Sequence, residues 1–286
     1  MTDLQSKTQE LLKVFITTKA GSQGEAARQL KGVSTATISK IMNSNFEKIS
    51  DNMLQSIIAQ LEVGSGAWQY VETAVKHDID TLLADAQEFQ NVYWIVSDAG
   101  SGKTTSASLY KQNHRNVFIL QCSEDMTKNE FCIQLADATG VQNARGCTMN
   151  EIMDKIAARL KCLECPLIIL DEADKLRETV LANYIITIYN KTNDFCGMVM
   201  LSTSYGQKRI ERGLRLNKKG FAEVWSRIGR KFLEPKANRL ADIYAICSAN
   251  GVTDEKEINR MCIEVEECDF DLRRCEKIVH RYHRTR

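Results

Sequence analysis

The chain is short of several things. Its 286 residues include only two prolines and 7% aromatics, and the formal net charge is +1. No apolar run is long enough to cross a bilayer. With charge so nearly balanced there is no global basic field, so any surface for nucleic acid has to be a local patch offset by acidic surface elsewhere. The opening residues, MTDLQSKTQE, lack the apolar core of an export signal. A cytoplasmic location with no membrane partner is therefore expected. Ten cysteines lie scattered through helical and strand patterns, which without an export signal reads as reduced thiols rather than a disulfide framework. Cys162 and Cys165 form one CxxC pair with no second pair and no histidine nearby, so neither metal nor redox chemistry is expected of them. A hydrophobic content of 43% against 26% charge is ordinary for a globular chain of one large or two modest domains.

The most informative stretch is NVYWIVSDAGSGKTT, Asn91 to Thr105. An apolar, β-branched and aromatic run, Val92 to Val96, breaks into a loop of small residues and resumes as a helical pattern. Strand, loop and helix in that order are the context of a phosphate-cradling P-loop. Backbone N–H groups of Ala99, Gly100, Ser101 and Gly102 and the helix N-terminus at Lys103, Thr104 and Thr105 face anionic oxygens. Lys103 reaches the terminal phosphates, and Thr104 holds Mg²⁺. Ser97 stands where the motif has its first glycine, which narrows the backbone conformations open to it.

Downstream the pattern alternates. A strand at Val117 to Gln121 is followed by two helices with capping boxes, Thr127 with Glu130 and Thr148 with Glu151. Leu167 to Leu170 is a continuous apolar run of the kind buried in a parallel sheet, and it delivers Asp171 and Glu172 to the strand's carboxyl end. Asp171 is expected to hold Mg²⁺ with Thr104, and Glu172 to polarise the water that attacks the γ-phosphorus. Met198 to Leu201 ends in Ser202-Thr203-Ser204, where Thr203 is the expected contact to that water or phosphate. Lys208 to Arg230 is the most basic stretch of the body, suited to an arginine finger, to DNA phosphates, or simply to a solvated face. Arg227 precedes an expected fifth strand, Lys231 to Leu233. Beyond Pro235 three helical patterns make a small lid. Arg273 near the start of the last is placed to reach back to the nucleotide, and the tail from His280 to Arg286 is basic.

The first 63 residues read as short helices. Ser22 and Glu25 mark one start, Ser34 another, and Gly32-Val33 a turn, with Ala27 small at the crossing and Ile38 and Ile41 facing inward. This segment resembles the phage-repressor-like helix-turn-helix domains, which implies that Ser34, Thr35, Thr37 and Lys40 face the major groove. Basic residues are sparse here (Arg28, Lys31, Lys40, Lys48), and a bundle that docks another protein explains the same pattern. Gly64-Ser65-Gly66-Ala67 reads as linker. The expected division is a helix-turn-helix domain over 1–63, a linker over 64–77, a nucleotide-binding α/β domain over 78–234 and a helical lid over 235–286. Val71, Glu72 and Thr73 are open to base contact or to core packing.

Taken together, SDAGSGKTT, LIILDEAD, LSTS, the WSRIGR arginine and the DLRR arginine resemble Walker A, Walker B, sensor 1, the arginine-finger box and sensor 2 of AAA+ ATPases. With the N-terminal domain and the VET before the first strand, the layout is most similar to the phage Mu B family of transposition target-selection ATPases. That resemblance implies ATP and Mg²⁺ as cofactors and a five-stranded parallel sheet with a lid. It further implies homo-oligomers that wind as a helical filament on double-stranded DNA, and recruitment of a transposase. By the same resemblance Arg227 serves a neighbouring subunit's nucleotide, Arg273 the subunit's own, and Lys128 and Arg145 face DNA. Two other readings stay open: a nucleotide-responsive helix-turn-helix transcriptional regulator, and an AAA+ loader or remodeller of a DNA-bound protein.

Overall fold

The computed structural model describes residues 3–30, 32–47, 49–65, 68–142 and 144–284. Lys31, Lys48, Gly66, Ala67, Thr285 and Arg286, named above, lie outside them. The chain divides into two compact units, Met1–Gln69 and Tyr70–Arg286.

The first unit is helical: α1 (Asp3–Phe15, continued by a π turn to Ala20), α2 (Gln23–Gln29), α3 (Thr35–Met42) and α4 (Asp51–Ser65). Ser22 and Ser34 cap α2 and α3, accepting from the backbone N–H of Glu25 and Thr37. These caps satisfy donors that a helix start otherwise leaves open. Leu12, Ala26, Ile38, Ile41, Leu54 and Ile57 are fully buried and form the core. The small residue at the packing face is Ala26, with Ala27 only half-buried. A helix start at Gln23 sets that phase.

The second unit opens without regular structure to Thr73, which caps α5 (Ala74–Phe89). Helix therefore resumes inside the stretch expected as linker. Then follow β1 (Val92–Val96), α6 (Lys103–Asn113), β2 (Val117–Gln121), α7 (Lys128–Ala138), α8 (Met149–Lys161), β3 (Leu167–Asp171) and α9 (Glu178–Val180), which runs through a π turn into α10 (Ile186–Thr192). β4 (Gly197–Ser202), α11 (Ser204–Arg215), α12 (Phe221–Arg227), α13 (Leu240–Ala249), α14 (Glu255–Glu266) and α15 (Leu272–Arg284) complete it.

The sheet is parallel with strand order β1-β4-β3-β2. Every residue of β3 and β4 is buried, and side chains alternate between two cores as the pleat requires. Ile168, Leu170, Met198 and Met200 face α7, α8, α10 and α12, while Leu167, Ile169, Val199 and Leu201 face α5 and α6. Among the described residues the sheet has four strands, not the expected five. Leu233 makes a single parallel bridge with Ile95, and its neighbours do not extend the pairing. Gly229 and Arg230 both have positive φ, and Pro235 has no N–H to give a ladder, so only a point of contact is left between them.

Gly197 shows how tightly α5 lies on the sheet. A Cβ there would stand 2.0 Å from the carbonyl oxygen of Ala86, and backbone cannot swing aside as a flexible side chain would. Gly197→Ala is expected to cost about 3 kcal/mol, a fall in Tm of roughly 6–12 °C for a unit of this size. Thermal unfolding followed by circular dichroism measures it.

Candidate functional site

The strand register brings the chemistry to one edge. Val96 pairs with Ser202 and Gln121 with Asp171, so the carboxyl ends of all four strands open on the same side, where open α/β sheets bind ligands. From β1 the loop Ser97–Gly102 turns into α6. Gly100 and Gly102 have φ of 78° and 106°, conformations that side chains strain to adopt. Ser97 is not among the positive-φ residues. The serine in place of the motif's first glycine therefore carries no strain of that kind. Lys103 Nζ crosses the loop, donating to the carbonyls of Ser97 at 2.6 Å and Asp98 at 2.7 Å. Burial pulls its pKa down, against the attraction of Asp171, Asp174 and Asp98.

Asp171, 1% exposed, accepts from Thr104 Oγ1 at 2.8 Å and from the Glu172 N–H at 2.9 Å. A hydroxyl and a carboxylate so close are oxygen ligands of the kind that Mg²⁺ takes together with phosphate. Burial raises the Asp171 pKa, opposed by the bonds from Thr104 and Glu172. With the folded pKa above the unfolded one, this group's contribution to stability is fully present below the unfolded value. It is lost as pH rises through the folded one, so at neutral pH the penalty is complete. Asp171→Asn is expected to raise the Tm of the nucleotide-free protein by about 2–4 °C, roughly 1 kcal/mol. The same variant is expected to lose ATP hydrolysis, and calorimetry and a phosphate-release assay read the two effects together.

Glu172 follows in the left-handed region, φ 54° and ψ 41°, a cost of the kind that functional turns carry. Its carboxylate accepts from Gln121 Nε2 and from Lys175 Nζ, each at 2.7 Å. The Lys175 bond, with help from Gln121, holds its pKa below the usual carboxylate range. Thr203 donates to Asp174 Oδ2 at 2.7 Å and also caps α11. The neighbouring Ser202 hydroxyl is buried against the Trp94 indole N–H at 2.7 Å, which leaves Thr203 as the half-buried hydroxyl of the pair at this edge.

The segment before α13 and the start of α15 grip the loop. The Leu272 N–H donates to the Gly100 carbonyl at 2.9 Å, and Asn238 Nδ2 donates to the Ser101 carbonyl at 3.1 Å. Asp271 caps the start of α15 by accepting from the N–H groups of Arg273 and Arg274. A Cβ on Gly100 would stand 2.3 Å from that Asp271 carboxylate, so the glycine serves close approach as well as its turn. Arg273 acts electrostatically on both Lys103 and Glu172, which places it among the residues of this edge.

Other expected residues lie elsewhere. Arg227, at the end of α12, donates to Asn190 Oδ1 at 3.2 Å and stands 5.5 Å from the Tyr189 ring centroid. Exposed Lys128 starts α7, and exposed Arg145 lies in the loop before α8. In the first unit Thr35 and Lys40 are exposed, whereas the Ser34 and Thr37 hydroxyls bond each other at 2.9 Å within the cap of α3. Thr73 is committed to capping α5, and Glu72 pairs with His77 at 3.0 Å. Gln121, Lys175, Asp174, Asn238 and Asp271 are site neighbours that pattern reading missed. Asp174 and Asp271 lie inside the quoted LIILDEAD and DLRR strings and Gln121 ends its strand, whereas Lys175 and Asn238 carry no such signal.

Residues 87–204 match the protein family described as AAA domain. No curated protein matches the sequence significantly. Among solved structures, the chain is similar to the ORC2 protein of Aeropyrum pernix in its ADPNP–ADP complexes, with 15% identity and a TM-score of 0.50, over 71% of this chain and 59% of that one. Cdc6p from Pyrobaculum aerophilum gives 14% identity and a TM-score of 0.49, over 70% of this chain and 57% of that one. The chain thus spans less than two thirds of the length of either. No helix among the described residues is long and apolar enough to cross a membrane. The AAA match runs from the end of α5 to the start of α11 and takes in the loop, Asp171, Glu172 and Thr203, so the P-loop edge of the sheet lies within the part of the chain that is similar to the AAA domain.

Proposed function

We propose that the protein is an ATP-dependent, largely sequence-independent DNA-binding ATPase that assembles on duplex DNA and recruits or stimulates a transposase. The observation that carries the catalytic half is the Thr104–Asp171–Glu172 constellation at the mouth of the phosphate loop. Gly100, Ser101 and Gly102 offer their N–H groups to phosphate, Lys103 neutralises it, and Glu172 takes the proton of the attacking water. Mg²⁺ held by Thr104 and Asp171 supplies charge neutralisation at the phosphates. Glu172 first has to leave Gln121 and Lys175, which makes the carboxylate a natural point of control.

The DNA half rests on α11. Lys208, Arg212 and Arg215 are exposed on it, with Lys219 just beyond, and none of the four pairs with a carboxylate among the described residues. Tyr205 on the same helix is 64% exposed. Such a stripe fits phosphates rather than base edges, which favours sequence-independent contact. The partner transposase and the filament rest on the Mu B resemblance. Arg227 as an intersubunit finger, Arg273 as the nucleotide's own-subunit contact, and Lys128 and Arg145 as further DNA contacts belong to the same reading. The exposed Thr35 and Lys40 favour a second one, in which the first unit reads an operator and nucleotide is a regulatory ligand.

The test is fluorescence anisotropy of random duplex DNA across a salt series, with and without ATP. ATP is expected to promote binding, and Lys103→Ala to abolish that effect. Replacing Lys208, Arg212, Arg215 and Lys219 by glutamine is expected to flatten the salt dependence by about 0.9 log unit per lost phosphate contact. Binding indifferent to ATP rejects the reading. A strong preference for one sequence over competitor DNA supports the operator alternative instead.

A further inference from the structure

Two thiols of the C-terminal helices meet where their chemistry bears on the phosphate loop. Cys247 on α13 and Cys275 on α15 are both fully buried, and their side chains hydrogen-bond to each other. The helices α13, α14 and α15 pack on one another. Cys262 on α14 is buried there too, but its thiol turns to the Leu240 carbonyl at 3.9 Å, about two turns before Cys247 along α13. The pair is therefore Cys247 with Cys275.

Each helix of the pair is tied to the loop at its start. Asn238, just before α13, holds the Ser101 carbonyl, and Leu272, which opens α15, holds that of Gly100. Cys275 lies within one turn of Leu272, so a change between the two sulfurs is felt at the loop through very little intervening helix. The turn that leads into α15 is strained. Asp269 and Phe270 have φ of 54° and 57°, a left-handed region that residues with side chains enter at a cost. Such strain persists only where surrounding contacts over-determine it, and here Asp271 and Leu272 lie against Gly100. The start of α15 is thus held to the loop by few bonds, against a turn that favours release.

We propose that Cys247 and Cys275 are a redox-responsive pair, which a peroxide converts to a disulfide that pins α15 to α13 and slows nucleotide exchange at the P-loop. The inference rests on the loop holding a nucleotide, as set out under Proposed function. The hydrogen bond from Cys275 draws the Cys247 pKa down against burial, which makes Cys247 the attacking thiolate. Its sulfur takes one oxygen of the peroxide as the O–O bond breaks, giving a sulfenic acid, and the departing hydroxide becomes water with the proton that Cys247 lost. The Cys275 sulfur then attacks the sulfenic sulfur. The S–S bond forms, the S–O bond breaks, and a second water leaves with the Cys275 proton. Two electrons pass from the two sulfurs to one hydrogen peroxide, which is reduced to two waters. Being of few atoms, the oxidant reaches the pair when the start of α15 leaves the loop.

The experiment treats the full chain with hydrogen peroxide, alkylates the remaining thiols, maps linked peptides without reductant, and follows release of a fluorescent ADP by stopped flow. A peptide joining Cys247 to Cys275 is expected, with ADP release slowed about tenfold and restored by dithiothreitol. In Cys275→Ala, which keeps the exposed Cys162, Cys165 and Cys268, the linked peptide is expected to vanish and release to become indifferent to peroxide. Mapping and dithiothreitol reversal on the unaltered protein keep the test intact if that variant folds poorly, and Cys247→Ala repeats it from the other helix. Absence of the linked peptide once the exposed thiols have reacted, a slowing that survives Cys275→Ala, or a linked protein that releases ADP at the original rate overturns the inference. Failure of the reduced protein to bind the ADP probe rejects the nucleotide reading itself, a result distinct from ADP that binds and leaves at one rate before and after oxidation.

Discussion

Arg227→Ala is expected to bind ATP and yet hydrolyse it about 10³-fold more slowly, the low end of what an arginine finger contributes. The larger claim lies in a mixture. On the proposed reading a Lys103→Ala subunit does not hold its own nucleotide productively but still offers Arg227. An Arg227→Ala subunit holds nucleotide but offers no finger. Mixed, the two inactive proteins are expected to recover a substantial fraction of activity, because some junctions then combine an intact Lys103 with a neighbour's Arg227. The guanidinium is presented at the end of α12, steadied by Asn190 and the face of Tyr189. If Arg227 merely packs there, the variant loses Tm, and the mixture stays as inactive as its parts. Steady-state phosphate release and thermal unfolding on the same samples decide between these outcomes.

Glu172→Gln is expected to leave ATP affinity within a few-fold and to lower hydrolysis by 10²–10³, as removal of a positioned general base does. Glutamine keeps the size and an acceptor oxygen but cannot take a proton. Bound ATP should then persist, and so should any assembly on DNA that depends on it. The pH profile gives a second readout. Lys175 holds the resting Glu172 pKa below the usual carboxylate range, and a carboxylate released from it returns to that range, so the base is ionised at neutrality in either arrangement. Hydrolysis should therefore not decline with acidification until the carboxylate range is reached, provided nucleotide remains bound. A decline centred near neutrality would point to a different base. Single-turnover measurement from pH 5 to 8 is the check.

Much of the site was legible because its parts are local. A strand, a small-residue loop and Lys103-Thr104 are contiguous, and so are a buried strand and Asp171-Glu172. Three-residue spacings announced the caps at Ser22, Thr127 and Thr148, and Ser34 was expected to cap from its place after the Gly32-Val33 turn; all four caps form. What escaped reading is what the fold assembles across distance. Gln121 meets Glu172 only because β2 and β3 pair in a register that puts Gln121 opposite Asp171. Asn238 and Leu272 meet the P-loop from the far end of the chain, and although Leu272 lies in the DLRR string, nothing local says that its N–H meets that loop. The strand expected at Lys231 to Leu233 is reduced to one bridge for a local reason, the positive φ of Gly229 and Arg230 before it and Pro235 after it.

The loop that dominates the sequence came with a doubt attached, the serine at its first glycine position. Sequence by itself determined that a phosphate cradle follows a parallel strand and that Asp171 and Glu172 end another, because backbone periodicity and a P-loop's amide geometry are written in neighbouring residues. It did not decide whether Ser97 is tolerated. That depends on φ at one position, and the fold places Ser97 outside the left-handed region while reserving it for Gly100 and Gly102. Nor did it decide what clasps the loop. Burial of Asn238 and the approach of Asp271 to Gly100 are tertiary facts, arising where segments distant in sequence pack on a loop whose Gly100 has no side chain to keep Asp271 away.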